Sequence, residues 1–314
     1  MRYLIIGGTS IFGEGLVDRL LNKSETVMII ATKLPHEIEF VRDRLYWKNL
    51  DLRSVEDTNA VVEDSEADVI FDLATQDSVG YSWQNPAETV DINVGGTINL
   101  LNAIRDYRPK ARLVIGGSGE EYGRMDFTDL PVKETANPQP NNIYGATKVC
   151  QTMFAKLYHQ AFGMDIVVLR TFYETSEKQD ERFAISSFCK QFAEIEAGKK
   201  EPVIYTGNLM NIRDFTDVDD LVRAFELVSV KGRSGEVYNA ASGAATTLLD
   251  IIRLLEKMTG LHLDIRMDAE RVRPMDSPAM SADVLKIYEE CGWKAEIPIG
   301  VTIERMLDYW RKNI

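Results

Sequence analysis

Five short apolar runs punctuate the first half of the chain: "RYLIIGG" (2–8), "TVMIIAT" (26–32), "DVIFDLA" (68–74), "ARLVIGG" (111–117) and "MDIVVLRT" (164–171). Each is continuously apolar rather than alternating, the pattern of a strand covered on both faces. Between them, "FGEGLVDRLLN", "VEDTNAVVEDS", "NPAETVDINVGGTINLLNAIRDY" and "YGATKVCQTMFAKLYHQAFG" repeat apolar residues every three or four positions, which predicts helices. Strand and helix in alternation give a doubly wound α/β fold, a parallel sheet with right-handed crossovers and helices on both sides. Ligands in such sheets bind at the carboxyl ends of the strands.

After Thr171 the rhythm changes. "YETSEKQDERF" is polar and reads as a loop, "AISSFCKQFAEIEAGKK" as an amphipathic helix ending at Gly198, and "PVIYTGN" as a short strand. A helix "DVDDLVRAFELVSV", a strand "GEVYNAASG" and a helix "TLLDIIRLLEKMTG" closed by Gly260 follow. A strand around 263–266 and helices from about residues 282 and 302 complete the chain. These elements predict a smaller α/β lobe. Residues 1–171 form the nucleotide-binding domain, with 213–241 returning to it, and 172–212 with 242–314 form the substrate lobe.

Composition narrows the function classes. The 314 residues are 45% apolar and 27% charged, ordinary for a globular protein with a large core. A formal net charge of -13 disfavours a nucleic-acid partner, which needs Lys and Arg to neutralise phosphates, while a local basic pocket could still take a nucleotide-sized anion. Cys150, Cys189 and Cys291 are scattered and odd in number, without a C-x-x-C, so they suggest buried thiols rather than disulfides or zinc. His36, His159 and His262 are equally scattered, and no metal is expected. No run approaches the roughly 18 apolar residues of a membrane span, and "MRYLIIGGTS" is broken too soon by glycine for a signal peptide. A cytoplasmic location is the expectation.

The first strand runs into "GGTSIFGEG". A glycine-rich turn entering a helix lets backbone amides approach a pyrophosphate, although a tight turn needing only positive φ leaves the same trace. The candidate cradle is Gly7, Thr9, Ser10, Ile11, Phe12 and Gly13, with Ser10 where a third glycine is usual. At the end of the second strand, where an NAD-preferring fold carries a carboxylate, stand Thr32 and Lys33. NADP(H) is therefore favoured and NAD(H) possible, since Lys33 could equally be a solvated surface charge. Asp51 and Leu52 follow the third strand, placed against the adenine.

Ser118 in "GGSGEEYG" follows an apolar strand and belongs at its carboxyl end, while Tyr144 and Lys148 open the next helix four residues apart, on one face. A phenol beside a cation is expected to lose its proton more easily. Ser118 can hold a carbonyl oxygen, Tyr144 can exchange the proton, and Lys148 can tune Tyr144 and bind the nicotinamide ribose. The spacing Y-x-x-x-K alone is common by chance. Its order after the glycine turn and the strand-end serine makes it a catalytic candidate.

With these motifs, "DL" at 51–52, "LATQDSVGYSW" at 73–83, "NVGGT" at 93–97, "GNLMNIRDFTDV" at 207–218 and "RVRPMDSP" at 271–278, the chain resembles the extended short-chain dehydrogenase/reductase family acting on nucleotide sugars. With "GWKAEIP" at 292–298, the last two resemble most the subgroup of GDP-mannose 4,6-dehydratase and GDP-4-keto-6-deoxy-mannose reductase, enzymes of deoxysugar biosynthesis. The resemblance implies a Rossmann-type sheet with a smaller C-terminal substrate lobe. It implies cofactor contacts from Leu73, Ala74, Gln76, Asn93, Tyr144 and Lys148. It also implies a nucleotide-sugar site with Ser118, Tyr173, Lys190, Asn208, Arg213 and Arg273, in which Lys190 and the two guanidinium groups hold the diphosphate. Tyr173 and Asp77 depart from the residues expected at their positions.

A dehydratase of this family needs an acid and a base between the serine and the next tyrosine, here Gly119, Glu120 and Glu121. Glu120 can be a base, but Gly119 has no proton to give. The favoured reaction is NADPH-dependent reduction of the C4 keto group of a nucleoside-diphosphate 4-keto-6-deoxyhexose, GDP-4-keto-6-deoxy-mannose by resemblance. The alternatives are GDP-mannose 4,6-dehydratase with Glu120 as the C5 base, an NAD-dependent 4-epimerase, and a non-catalytic NADP(H) sensor. On the helix that begins at Tyr144, Ala146, Cys150, Met153, Phe154, Leu157 and Ala161 form an apolar stripe, which implies a homodimer through paired helices or cover by the second lobe.

Overall fold

A computed structural model describes residues 1–268 and 277–314. Its centre is a parallel sheet of Arg2–Ile6 (β1), Met28–Lys33 (β2), Leu45–Asn49 (β3), Val69–Asp72 (β4), Arg112–Ser118 (β5), Ile166–Thr171 (β6) and the strand Val237–Ala240. From one edge the order is Val237–Ala240, β6, β5, β4, β1, β2, β3, and every neighbouring pair is parallel. This is the Rossmann order, in which succession reverses between β1 and β4 and opens a crevice at their carboxyl ends.

Each central strand buries both faces, with side chains alternating between two cores. Leu4 and Ile6, Ile30, Ile70, Leu113 and Ile115, Ile166 and Val168 face a core shared with the helices Val55–Ser65, Gly96–Tyr107 and Ile143–Phe162. Tyr3 and Ile5, Ile29, Val69 and Phe71, Val114, Val167 and Leu169 face the helices Ile11–Leu21 and Val218–Lys231 on the other side. A third core lies between the helices Ala184–Glu196, Leu248–Thr259 and Ile299–Asn313, and a fourth gathers Tyr122, Val132, Phe172, Ala241, Met280 and Ala282 beside the end of β6.

The pattern misplaces some boundaries. The helix expected from residue 282 begins at Leu285, because Ala279–Met280 pairs with Ile212–Arg213 in a small sheet. The last helix begins at Ile299, before Thr302. In the polar stretch expected to be loop, Glu174–Thr175 pairs with Thr216–Asp217. Cys189 and Cys291 are buried, but Cys150 is half-exposed.

Candidate active site

The chain leaves β1 through a turn that needs glycine at 7, 8 and 13, a Cβ on Gly8 sitting 2.7 Å from Ala31 Cβ. Gly7 has φ +79°, and a Cβ there would sit 2.9 Å from the Ala74 nitrogen; one on Gly13 would sit 2.5 Å from the Gly7 and Gly8 oxygens. Ser10 needs no such freedom. Its φ is -68°, and its hydroxyl caps the helix Ile11–Leu21, donating to the Gly7 carbonyl at 2.7 Å and accepting from Gly13 N at 3.1 Å. Thr32 clamps the turn from β2, its hydroxyl accepting from Gly7 N at 3.2 Å and its carbonyl from Gly8 N at 2.8 Å. Ile11 is exposed, and the Phe12 ring lies 5.4 Å from that of Phe225.

Lys33 is buried, its ammonium bound to the Glu37 carbonyl at 3.1 Å and 3.7 Å from the Glu39 carboxylate. The Glu37 carboxylate accepts from the Thr9 hydroxyl and from Leu34 N, both at 2.8 Å. This carboxylate beside the glycine turn comes from a polar stretch with no periodicity, and sequence reasoning missed it. At the end of β3, the Arg53 guanidinium holds the Asp51 carboxyl below its usual range, and Leu52 packs on Gly96.

The helix Ile143–Phe162 starts under Asn142, whose side chain accepts from Gly145 N at 2.8 Å. Tyr144 and Lys148 fall on its first two turns, and both are buried. The Ser118 side chain lies close enough to the Tyr144 phenol to favour its charged form. The Lys148 ammonium lies 5.8 Å from the Tyr144 ring centroid and donates to the Gly116 carbonyl at 2.9 Å. Gly145 keeps the approach open, since a Cβ there would sit 2.5 Å from the Glu120 carbonyl. From a π-helical turn at Asp91–Gly95, Asn93 accepts from Gln76 N at 2.8 Å and donates to the Thr147 hydroxyl at 2.9 Å, tying the loop after β4 to this helix.

Electrostatics correct one expectation. Tyr144 holds its proton well above the ordinary phenol range, because burial disfavours the phenolate and the carboxylates of Glu174, Asp77 and Glu120 repel it, against the pull of the Ser118 side chain. The neighbouring ammonium does not outweigh them. Burial also pushes Lys148 down, opposed by Asp72, Glu121, Asp77 and Glu174. Glu174, half-buried, has its carboxyl raised by loss of water and by the acids beside it. Sequence reasoning missed both Glu174 and Asp72. The signal for Asp72 was present, a carboxylate inside an otherwise apolar strand.

Within the turn after β5, Glu120 accepts from the Asn142 amide at 2.8 Å. Glu121 points inward to a buried pair with Arg170 at 2.6 Å. A Cβ on Gly119 would meet the Phe172 ring at 2.8 Å. Of the expected substrate set, Tyr173 and Arg213 come together, the guanidinium 5.1 Å above the ring, with Tyr173 at φ +30°. Asn208 donates to Asn211 at 3.1 Å in the segment leading to Arg213. Lys190 contacts Glu181 and lies 5.1 Å over the Trp310 ring. Arg273 lies outside the described residues.

The family model described as GDP-mannose 4,6 dehydratase matches residues 4–306. GDP-6-deoxy-D-mannose reductase of Pseudomonas aeruginosa is 28% identical over 79% of this chain and 81% of the relative. A putative UDP-glucose 4-epimerase of Methanocaldococcus jannaschii is 27% identical over 99% of this chain and 98% of its own. The solved structure of RMD from Pseudomonas aeruginosa complexed with NADPH superposes with a TM-score of 0.84 at 25% identity, covering all of both chains. With Ser118, Tyr144 and Lys148 gathered at the carboxyl end of this sheet, the chain belongs to the GDP-mannose 4,6-dehydratase family, within the extended short-chain dehydrogenase/reductase enzymes of nucleotide sugars.

Proposed function

We propose that the protein reduces the C4 keto group of a nucleoside-diphosphate 4-keto-6-deoxyhexose, with GDP-4-keto-6-deoxy-mannose as the first candidate. One observation carries this reading: Tyr144 and Lys148 lie buried on one face of the helix Ile143–Phe162 with Ser118 at the end of β5 beside them, and burial raises the phenol further, which suits it to give its proton to a keto oxygen. The crevice suits a nicotinamide dinucleotide, because the turn is bare of side chains at Gly7 and Gly13 and ends on a helix N-terminus. Residues 7–13 would hold the pyrophosphate, Asp51 and Leu52 the adenosine, and Leu73, Ala74, Gln76, Asn93 and Lys148 the nicotinamide half. A bound cofactor supplies the hydride. Ser118 and Tyr144 donate hydrogen bonds to the keto oxygen, and Tyr144 gives up its proton as charge develops there. Arg213, Arg273 and Lys190 would meet the diphosphate, with Tyr173 and Asn208 nearer the sugar.

Phe172 behind Gly119 leaves no room for the acid that a dehydratase needs at that place, which favours reduction over elimination. The dehydratase reading keeps only Glu120 as a base. Thr32 and Lys33 support NADPH. Glu37 favours the second reading, NADH, since a carboxylate beside Thr9 can accept from a ribose hydroxyl and repels a 2′-phosphate. The same proposal includes a homodimer, a cytoplasmic location, and the division of labour between 1–171 with 213–241 and the rest of the chain.

The test is to supply GDP-4-keto-6-deoxy-mannose with NADPH or NADH and follow loss of the reduced-nicotinamide absorbance. Tyr144→Phe is expected to lower turnover by about 10²–10⁴-fold while cofactor affinity stays within about threefold. A 4-keto product from GDP-mannose without added reductant would overturn the reading.

A further inference from the structure

Asp72 ends β4 and is 2% exposed, yet neither carboxylate oxygen meets a donor in hydrogen-bond geometry among the described residues; its charged form is favoured by the Lys148 ammonium and, less, by the Ala74 N–H. A buried carboxylate without a partner is costly and rare. Strand alternation turns Asp72 to the same face as Ile70, the face covered by the helix Ile143–Phe162. On that helix the Lys148 ammonium is fixed to the Gly116 carbonyl of β5, one residue beyond Ile115, the partner of Asp72 in register. The carboxylate and the ammonium therefore share the carboxyl ends of two adjacent strands, and each is drawn toward its charged form by the other.

The other groups facing Lys148 are accounted for differently. Glu121, from the turn after β5, is engaged by Arg170, Thr152 and Ser118 N. Asp77, from the loop after β4, is exposed, and Glu174, after β6, is half-buried; both also face Tyr144, the phenol on the same helix. Asp72 alone of these lies fully buried with no other charged partner among the described residues.

We propose that Asp72 is a positioning residue for Lys148, holding its ammonium charged and anchored at the ends of β4 and β5, where it faces Tyr144. The proposal rests on the reading of Tyr144 and Lys148 as a working pair, but its test needs no substrate. The protein is labelled with carbon-13 at the lysine ε position, and the Lys148 signal is identified by its loss in Lys148→Arg. In Asp72→Asn, the pH midpoint of Lys148 is expected to fall by about one unit or more, and in Asp72→Glu to return toward the wild-type value. In the unaltered protein, the same signal is expected to show a step as Asp72 titrates, at about pH 6. This keeps the test open even if Asp72→Asn does not fold. An unchanged midpoint in folded Asp72→Asn, or no step in the wild type, overturns the proposal. A chain that reduces no sugar but shows both effects would sink the proposed reaction and leave this inference standing.

Discussion

At Ser10 a hydroxyl fills a place where glycine is usual, and the structure gives the reason: the residue is a helix cap with ordinary φ, while Gly7, Gly8 and Gly13, where a Cβ would collide, keep their glycines. Asp72 is the converse, a residue whose cost is visible and whose return lies in the site. Its carboxyl is raised from 3.8 to about 6, mainly by burial. The native state therefore binds this proton more tightly than the unfolded chain does. The stability effect is a loss, absent below the unfolded value, growing as pH rises through the interval, and complete above about pH 6. Asp72→Asn removes it. Between roughly pH 4 and 6 the stability of Asp72→Asn relative to wild type should rise by about 3 kcal/mol, at about 1.4 kcal/mol per pH unit. Urea unfolding at a series of pH values checks this, and a constant difference would exclude it.

The turn Gly119–Glu121 follows Ser118 at the end of β5. Ser118 N donates to one Glu121 oxygen at 3.1 Å, while the other oxygen takes Thr152 at 2.8 Å and Arg170 at 2.6 Å. Arg170 in turn donates to the Tyr122 hydroxyl at 2.7 Å. Glu121→Gln leaves a buried guanidinium without its counter-charge, and should cost about 3–5 kcal/mol in unfolding free energy. Loss of turnover should accompany it, because Ser118 is no longer held from behind. A variant of wild-type stability would mean that the ion pair is better solvated than its burial implies. At this scale the sequence was legible where interactions are local: continuous apolar runs gave five strands, and i, i+4 spacing put Tyr144 and Lys148 on one helix face. It was illegible where distant segments meet. Ala279–Met280 is a strand only because Ile212–Arg213 lies beside it. The Tyr144 phenol is raised first by burial and then by Glu174, which arrives from beyond β6 and which helical spacing cannot reveal.

For the whole molecule, the apolar stripe read from sequence on the helix Ile143–Phe162 left two candidates for its cover, the second lobe or another copy. Of the stripe, Met153 and Leu157 are 57% and 52% exposed and Ala146 and Ala161 are also exposed, while Cys150 and Phe154 are half-buried, Phe154 against the core, so the described residues leave the outer part of the stripe, with Phe162 beside it, uncovered. Beside it, Tyr158 donates to Asn102 at 2.9 Å and Arg105 lies 5.2 Å over the Phe162 ring, which joins the helix Gly96–Tyr107 to the same surface. If this surface is a two-fold interface, every contact is made twice, and a change at Leu157 strikes it twice per dimer. Leu157→Asp puts a carboxylate on this surface in each copy and removes nothing from the core, since Leu157 is exposed. The expected outcome is a dimer in wild type and a monomer in Leu157→Asp, read by sedimentation over a concentration series, with the unfolding midpoint of the variant changed only as far as loss of association requires. If wild type itself sediments as a monomer at every concentration, the stripe is not a homodimer surface. If Leu157→Asp remains a dimer, the two-fold lies on another face of the molecule.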